Sequence, residues 1–219
     1  EEKQNQRKWG RINIKQVITN MSTINLNELR DRAYKIARDH GFHDADWSNE
    51  HLLCLVISEL MEAVEADRND SRANMIGFET CIKNAYQGIV RDDWFLKAYR
   101  ADIKGSVEEE LSDVTICLLD LAGLRKIDLS ELQGPLFDKF NITPEFISWK
   151  SQIEEMSFTE RIFCLCSLLT SRESIEDVVR SSIVTIFLHA DILGIDLLWH
   201  IDQKIKYNTL RPVMHGKKY

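Results

Sequence analysis

Two pairs of carboxylates sit where a folded chain tolerates them least. On a helical wheel of about 100° per residue, Glu59 and Glu62 share a face with Leu52, Leu55, Val56, Ala63 and Ala66. On a second segment Glu110 and Asp113 gather with Ile116, Cys117, Asp120 and Leu124. Each segment thus offers an acid pair at i, i+3 among residues that favour burial. An ionised carboxylate buried alone is costly, so such groups are paired, metal-bound or protonated. Four acids converging from two helices imply a divalent cation, and all-oxygen ligation points to magnesium, with manganese as the alternative.

The neighbouring acids read differently. Ser106 and Glu109 have the S-x-x-E spacing of a capping box, in which Glu109 reaches back to the cap residue's N–H. Glu110 and Asp113 are then the pair left for a ligand. Asp120 is either an accessory acid or a polar residue facing a neighbour's base.

Around these segments the chain reads as all-α. Leu29, Ala33, Ile36 and Ala37 line one face of a helix over Leu26–His40, which Gly41 ends. Ser48 caps a helix to about Asp67, and Ser106 caps another to about Lys126. Between them, Arg68–Gly105 is less regular, with Gly77 and Gly88 as breaks and a short helix over Asp92–Ile103. Ser130–Pro144 is a loop-rich connection. Three further helices are expected over Phe158–Thr170, Ile175–Leu193 and Asp196–Asn208. No run alternates with period 2, and 3 prolines and 9 glycines are too few for the turns of a sandwich or barrel.

The chain divides accordingly. Residues 1–24 form an N-terminal leader or extension, with Met21 a candidate start. Residues 25–129 form an acid-bearing helical half with an insertion at 68–105. Residues 130–157 connect it to a second half, 158–219, that ends in a basic segment. Val107–Leu129 aligns without gaps on Ile175–Leu197, and Leu52–Leu55 resembles Ile162–Leu165, so the second half reads as a degenerate repeat. Where the first half has Glu59, Glu62, Glu110 and Asp113, the second has Leu169, Arg172, Val178 and Ser181.

Composition limits the partners. With 35 acids against 28 bases, the net charge is −7, which disfavours nucleic acid or an anionic membrane as a direct partner. The longest apolar stretch, Ser182–Trp199, is interrupted by His189, Asp191 and Asp196 and reads as a buried helix. Five cysteines, mostly in apolar runs, suggest buried free thiols and a cytoplasmic location. A ferritin-like di-iron bundle would need Glu-x-x-His twice, and none of the six histidines has Glu three residues before it.

The segment Ile57–Glu65 (ISELMEAVE), followed by Val107–Val114 (VEEELSDV), resembles the E-x-x-E … E-x-x-D signature of the MazG-like, all-α nucleoside triphosphate pyrophosphohydrolases, a superfamily that includes dimeric dUTPases. The likeness covers roughly Asp46–Lys126 and extends to the C-terminal HIDQKIKYNTLRP. It implies magnesium-dependent cleavage of an NTP or dNTP to NMP and pyrophosphate. Glu59, Glu62, Glu110 and Asp113 would be the metal ligands, and Glu59 or Glu62 the general base. The resemblance also implies a homodimer, an arrangement that a true second half would mimic within one chain.

Lys204, Asn208 and Arg211 fall on one helix face before Pro212. A Lys/Asn/Arg stripe suits phosphate oxygens, and Lys204 and Asn208 match a Lys-x-x-x-Asn of the resembled family. Trp47, and His43 beside it, are candidates to contact the base. The alternative is a non-catalytic nucleotide-binding or regulatory helical protein, consistent with the acid-free second half.

Overall fold

The computed structural model describes residues 25–84, 91–132 and 144–213. The expectations for residues 1–24, for Gly88, for most of the loop-rich connection (133–143) and for the end of the basic segment (214–219) lie outside these residues. Among the described residues there are nine α-helices, one short 3-10 turn and no strand, so the fold is all-α. The helices are α1 Leu26–Asp39, α2 Asn49–Arg68, α3 Met75–Lys83, α4 Arg91–Asp102 and α5 Val107–Leu124, then, after the turn Ser130–Leu132, α6 Pro144–Glu155, α7 Phe158–Leu169, α8 Ile175–Leu193 and α9 Leu197–Thr209.

Serines set most of the helix starts. The hydroxyls of Ser48, Ser106, Ser157 and Ser174 each accept the backbone N–H three residues on, satisfying donors that have no partner inside the helix. Ser157 completes a capping box with Glu160. At the other end of α8, Gly194 turns the chain in the left-handed region.

Helix α5 is the axis of the molecule. Its buried residues run from Val107 to Ala122 and include Leu111, Ser112, Val114, Thr115, Leu118, Leu119 and Leu121. A helix covered on nearly every side needs neighbours on every side, and α5 packs against α1, α2, α8 and α9. Leu52, Leu118, Ile162 and Ile183 belong to one core cluster, so the two sequence halves share a single apolar interior. A smaller cluster of Phe78, Phe95, Ala98, Tyr99, Ile103 and Tyr207 binds α3 and α4 to α9. No single helix among the described residues is long and apolar enough to cross a membrane.

Three expectations are corrected. Gly77 does not break the chain but lies inside α3, a helix that the low local regularity concealed. A Cβ there would sit 2.2 Å from Asn74 Nδ2 and 2.5 Å from Asp102 Oδ1, so the glycine serves a close approach between α3 and the end of α4. No helix is expected from the sequence over Pro144–Glu155, where α6 lies. The five cysteines are unpaired but not buried, with Cys54 and Cys164 exposed and the others half-buried.

Gly123 permits a close approach of α5 to α1. A Cβ on it would lie 2.5 Å from Tyr34 Cβ, an atom fixed to its backbone. Replacing glycine by alanine in a helix gains up to about 1 kcal/mol of propensity, whereas overpacking costs about 1–3 kcal/mol. Gly123→Ala is therefore expected to lower the urea midpoint. An equal or higher midpoint would mean that α1 moves aside freely.

Candidate functional site

The acids of α2 and α5 meet. One carboxylate oxygen from each of Glu59, Glu62 and Glu110 lies within 4.8 Å of the other two. The three differ in setting: Glu110 is only 7% exposed, Glu59 is half-buried and Glu62 is exposed at the rim. Glu62 is thus less deeply placed than its apolar face suggested. Glu110 Oε2 is buried with no hydrogen-bond partner among the described residues. Burial pushes the Glu110 carboxyl up to about 8, helped by the charges of Asp113, Glu109 and Glu62 and opposed by Lys204.

Asp113, expected as the fourth ligand, is otherwise engaged. Its Oδ2 is 2.5 Å from Lys204 Nζ, and the same ammonium is 2.6 Å from Glu109 Oε1. Lys204 is 5% exposed and Glu109 1%. Burial would lower the Lys204 pKa, but Asp113 and Glu109 outweigh it and hold the ammonium above its ordinary range. The expected phosphate-binding lysine is instead a cation clamped between two acids of α5.

Glu109 also departs from the capping-box expectation. The Ser106 hydroxyl does accept the Glu109 N–H, at 3.2 Å. The Glu109 carboxylate, however, takes the N–H of Gly105 at 2.5 Å, and its other oxygen accepts the Tyr99 phenol at 3.2 Å. Tyr99 belongs to α4, so the segment between the two acid-bearing helices contributes directly to this network. Burial, then the charges of Glu109 and Asp113, hold the phenol protonated far beyond its usual range.

Beside the acids opens a cavity of about 520 Å³. Its apolar walls come from α1, α2 and α5, through residues such as Ile36, Leu52 and Ile116, and it reaches Glu59 and Asp113 at the acidic end. Trp47 lines it with its indole stacked on His51, ring centroids 4.2 Å apart, and donates its N–H to the Phe42 carbonyl. Arg125 fixes this corner through the Trp47 carbonyl and the Asn49 side chain, both at 2.6 Å.

Asn208 and Arg211 also line the cavity, and Arg211 lies over the Tyr207 ring. Asn208 is buried, and its Oδ1 has no partner among the described residues. Asp120 proves to be the acid that faces a base: His43 Nε2 is 2.7 Å from its Oδ1. Burial raises the Asp120 pKa, and the His43 bond works against that rise. His43 Nδ1 is buried and unpartnered among the described residues.

Of the sequence-predicted residues, the structure therefore joins Glu59, Glu62 and Glu110 in one cluster. It sets Trp47, Asn208 and Arg211 around the adjoining cavity, and turns Asp113 and Lys204 toward each other. The clamp itself was missed. Its signal lay in Ile201, Lys204, Ile205 and Asn208, one stripe of α9 whose apolar members announced that the lysine would be buried. Compared with known proteins, the chain matches no family model, no curated protein and no solved structure.

Two consequences are measurable. Lys204→Met strands Glu109 and Asp113 and should cost about 3–5 kcal/mol in denaturant melts, part of which Lys204→Met with Glu109→Gln recovers. A smaller loss in the double variant than in the single one is the expected sign of coupling. Glu110 titrates between its unfolded value, near 4.5, and about 8 in the folded state. Because the folded pKa is raised, its favourable contribution is complete below the unfolded value and lost as pH climbs toward 8. In EDTA, Glu110→Gln should therefore gain thermal stability relative to the parent between pH 5 and pH 8.5. A difference independent of pH would refute the burial of this carboxyl among acids.

Proposed function

We propose that the chain is a magnesium-dependent nucleoside triphosphate pyrophosphohydrolase of the MazG-like kind, cleaving an NTP or dNTP to its monophosphate and pyrophosphate. One observation carries the proposal: carboxylates converging from α2 and α5 stand at the acidic end of a cavity of about 520 Å³, with Glu59 common to both. The E-x-x-E … E-x-x-D resemblance supports the same reading.

The donor set fits a hard divalent cation. It is all oxygen, and the buried, unpartnered Glu110 Oε2 is an atom that such an ion would satisfy. Glu59, Glu62 and Glu110 would hold it. Bound there, magnesium, or manganese in its place, neutralises polyphosphate oxygens and so supplies the electrostatic stabilisation that phosphoryl transfer requires. Water attacks the α-phosphorus, the bond to the bridging oxygen breaks, and pyrophosphate leaves. Glu59 belongs to both cluster and cavity wall, which favours it as acceptor of the water's proton, with Glu62 as the alternative base.

The remaining residues bind and orient. The Trp47 ring offers a face to the base, and Asn208 Oδ1 offers an acceptor for a sugar hydroxyl or base N–H. Arg211 meets phosphate oxygens at the cavity edge. Lys204 acts as a positioning residue, fixing the side of α5 from which Glu110 projects. The second half as a degenerate repeat, and assembly as a homodimer, belong to the same proposal.

A non-catalytic nucleotide binder is favoured by one observation, the commitment of Asp113 to Lys204, which leaves three acids in the cluster. Product analysis separates the two readings. With magnesium and a panel of NTPs and dNTPs, pyrophosphate and NMP are expected, and Glu62→Gln, an exposed change, should lower that release by about 10²-fold or more with unchanged helicity. Phosphate and NDP, no turnover, or a fully active Glu62→Gln would each sink the enzyme assignment.

A further inference from the structure

A second cavity, of about 890 Å³, opens in the other half of the molecule between α6, α7, α8 and the turn Ser130–Leu132. It corresponds in sequence to the first. With Ile162–Leu165 aligned on Leu52–Leu55 and Ile175–Leu197 on Val107–Leu129, its lining residues Arg161, Ser181, Val184 and Thr185 take the positions of His51, Asp113, Ile116 and Cys117. Those four line the first cavity. The two cavities thus use the same positions of paired helices, with the charge reversed.

No acid of the first cluster has a counterpart in the second half. Leu169 and Val178, both buried, stand for Glu59 and Glu110. In their place the cavity carries Arg161, only 7% exposed, whose Nε and Nη1 have no partner among the described residues. Burial lowers the Arg161 pKa, an effect countered by Asp67, which is itself paired with Arg72 at 2.6 Å. His189 lines the same cavity, is buried, and has both ring nitrogens unpartnered among the described residues. Burial and the nearby Arg161 charge push it down to about 4, so it is a neutral donor and acceptor at pH 7. Arg180 at the wall is already occupied, donating to the Asp128 carbonyl and facing Glu176, and Glu131 lies exposed at the rim.

A buried guanidinium with unsatisfied N–H groups is costly until an anion meets it. Its planar fork matches the oxygens of a phosphate or a carboxylate. The walls, with Leu168, Val184 and Ile153, suit an apolar body attached to that head. We propose that this second cavity binds a small organic oxyanion directly, without a metal ion, its charged head on Arg161 and His189 and its apolar body against α6 and α8. The proposal needs no activity at the acidic cluster.

Phenyl phosphate and benzoate are the probes, titrated calorimetrically into the full chain in EDTA, with phenol as the uncharged control. Saturable binding of one or both anions, and weaker binding of phenol, is expected. Whichever anion binds more tightly identifies the head group. Cys164 is exposed and lines this cavity, while Cys54 is exposed and lines neither, so the bound anion should slow thiol labelling at Cys164 alone. Arg161→Met should weaken binding about tenfold or more without lowering the melting temperature, because a buried cation with unsatisfied N–H groups has been removed. Ser181→Glu, at an exposed position of the same wall, should abolish binding by repulsion and leaves the core untouched. No saturable binding by either anion, phenol binding as tightly as both, or full affinity in Ser181→Glu would overturn the proposal. So would unchanged affinity in Arg161→Met, which would place the anion elsewhere.

Discussion

The Lys204 ammonium, held between Glu109 and Asp113, is the interaction on which the acid-bearing half depends. It ties α9 to the central helix α5, which also packs against α1, α2 and α8. Two carboxylates and one cation in nearly dry surroundings are stable only if the geometry is close and the remaining lone pairs are met. Glu109 meets this condition through Gly105 and Tyr99. Glu110, one residue on, does not, and its strain is electrostatic and not steric. The same helix therefore carries a satisfied acid and an unsatisfied one side by side, the first structural and the second available for a ligand.

Much of the fold was readable because the helices carry their own punctuation. Ser48, Ser106 and Ser174 cap where their spacing to the apolar stripe says they must, and α8 ends at Gly194. What escaped was tertiary in origin. The helix α3 is short and contains Gly77, whose role is to admit Asn74 and Asp102 and cannot be told from a break without the neighbour in view. The site divides in the same way. That Glu59 and Glu62 share one apolar face, and that Glu110 lies on another, follows from their wheel positions, and the packing of α2 on α5 brings those faces together. That Asp113 turns instead to Lys204 depends on where α9 lands, a fact encoded only weakly by the apolar residues flanking the lysine.

The contrast between the two cavities extends this point. Under the proposed alignment of the two halves, a few side-chain differences separate an anionic wedge from a cationic one, since helix backbones and apolar contacts are indifferent to the charges between them. In that alignment Ser181 stands at the position of Asp113 and Arg161 at that of His51, while Leu118, Ile162 and Ile183 fill one shared interior. Packing and polarity are thus separable properties of this architecture.

The phenol of Tyr99 gives the α3–α4 layer a role beyond shaping a surface. Its hydrogen bond to Glu109 closes a relay that runs from α4 through one carboxylate and one ammonium to Asp113 at the cavity edge. The α3–α4 layer is consequently wired into the electrostatics of the cavity it flanks. Excising or displacing that layer would remove a donor from Glu109 and redistribute charge at the opposite end of the relay, so a change made on the α3–α4 layer is felt by acids it never touches.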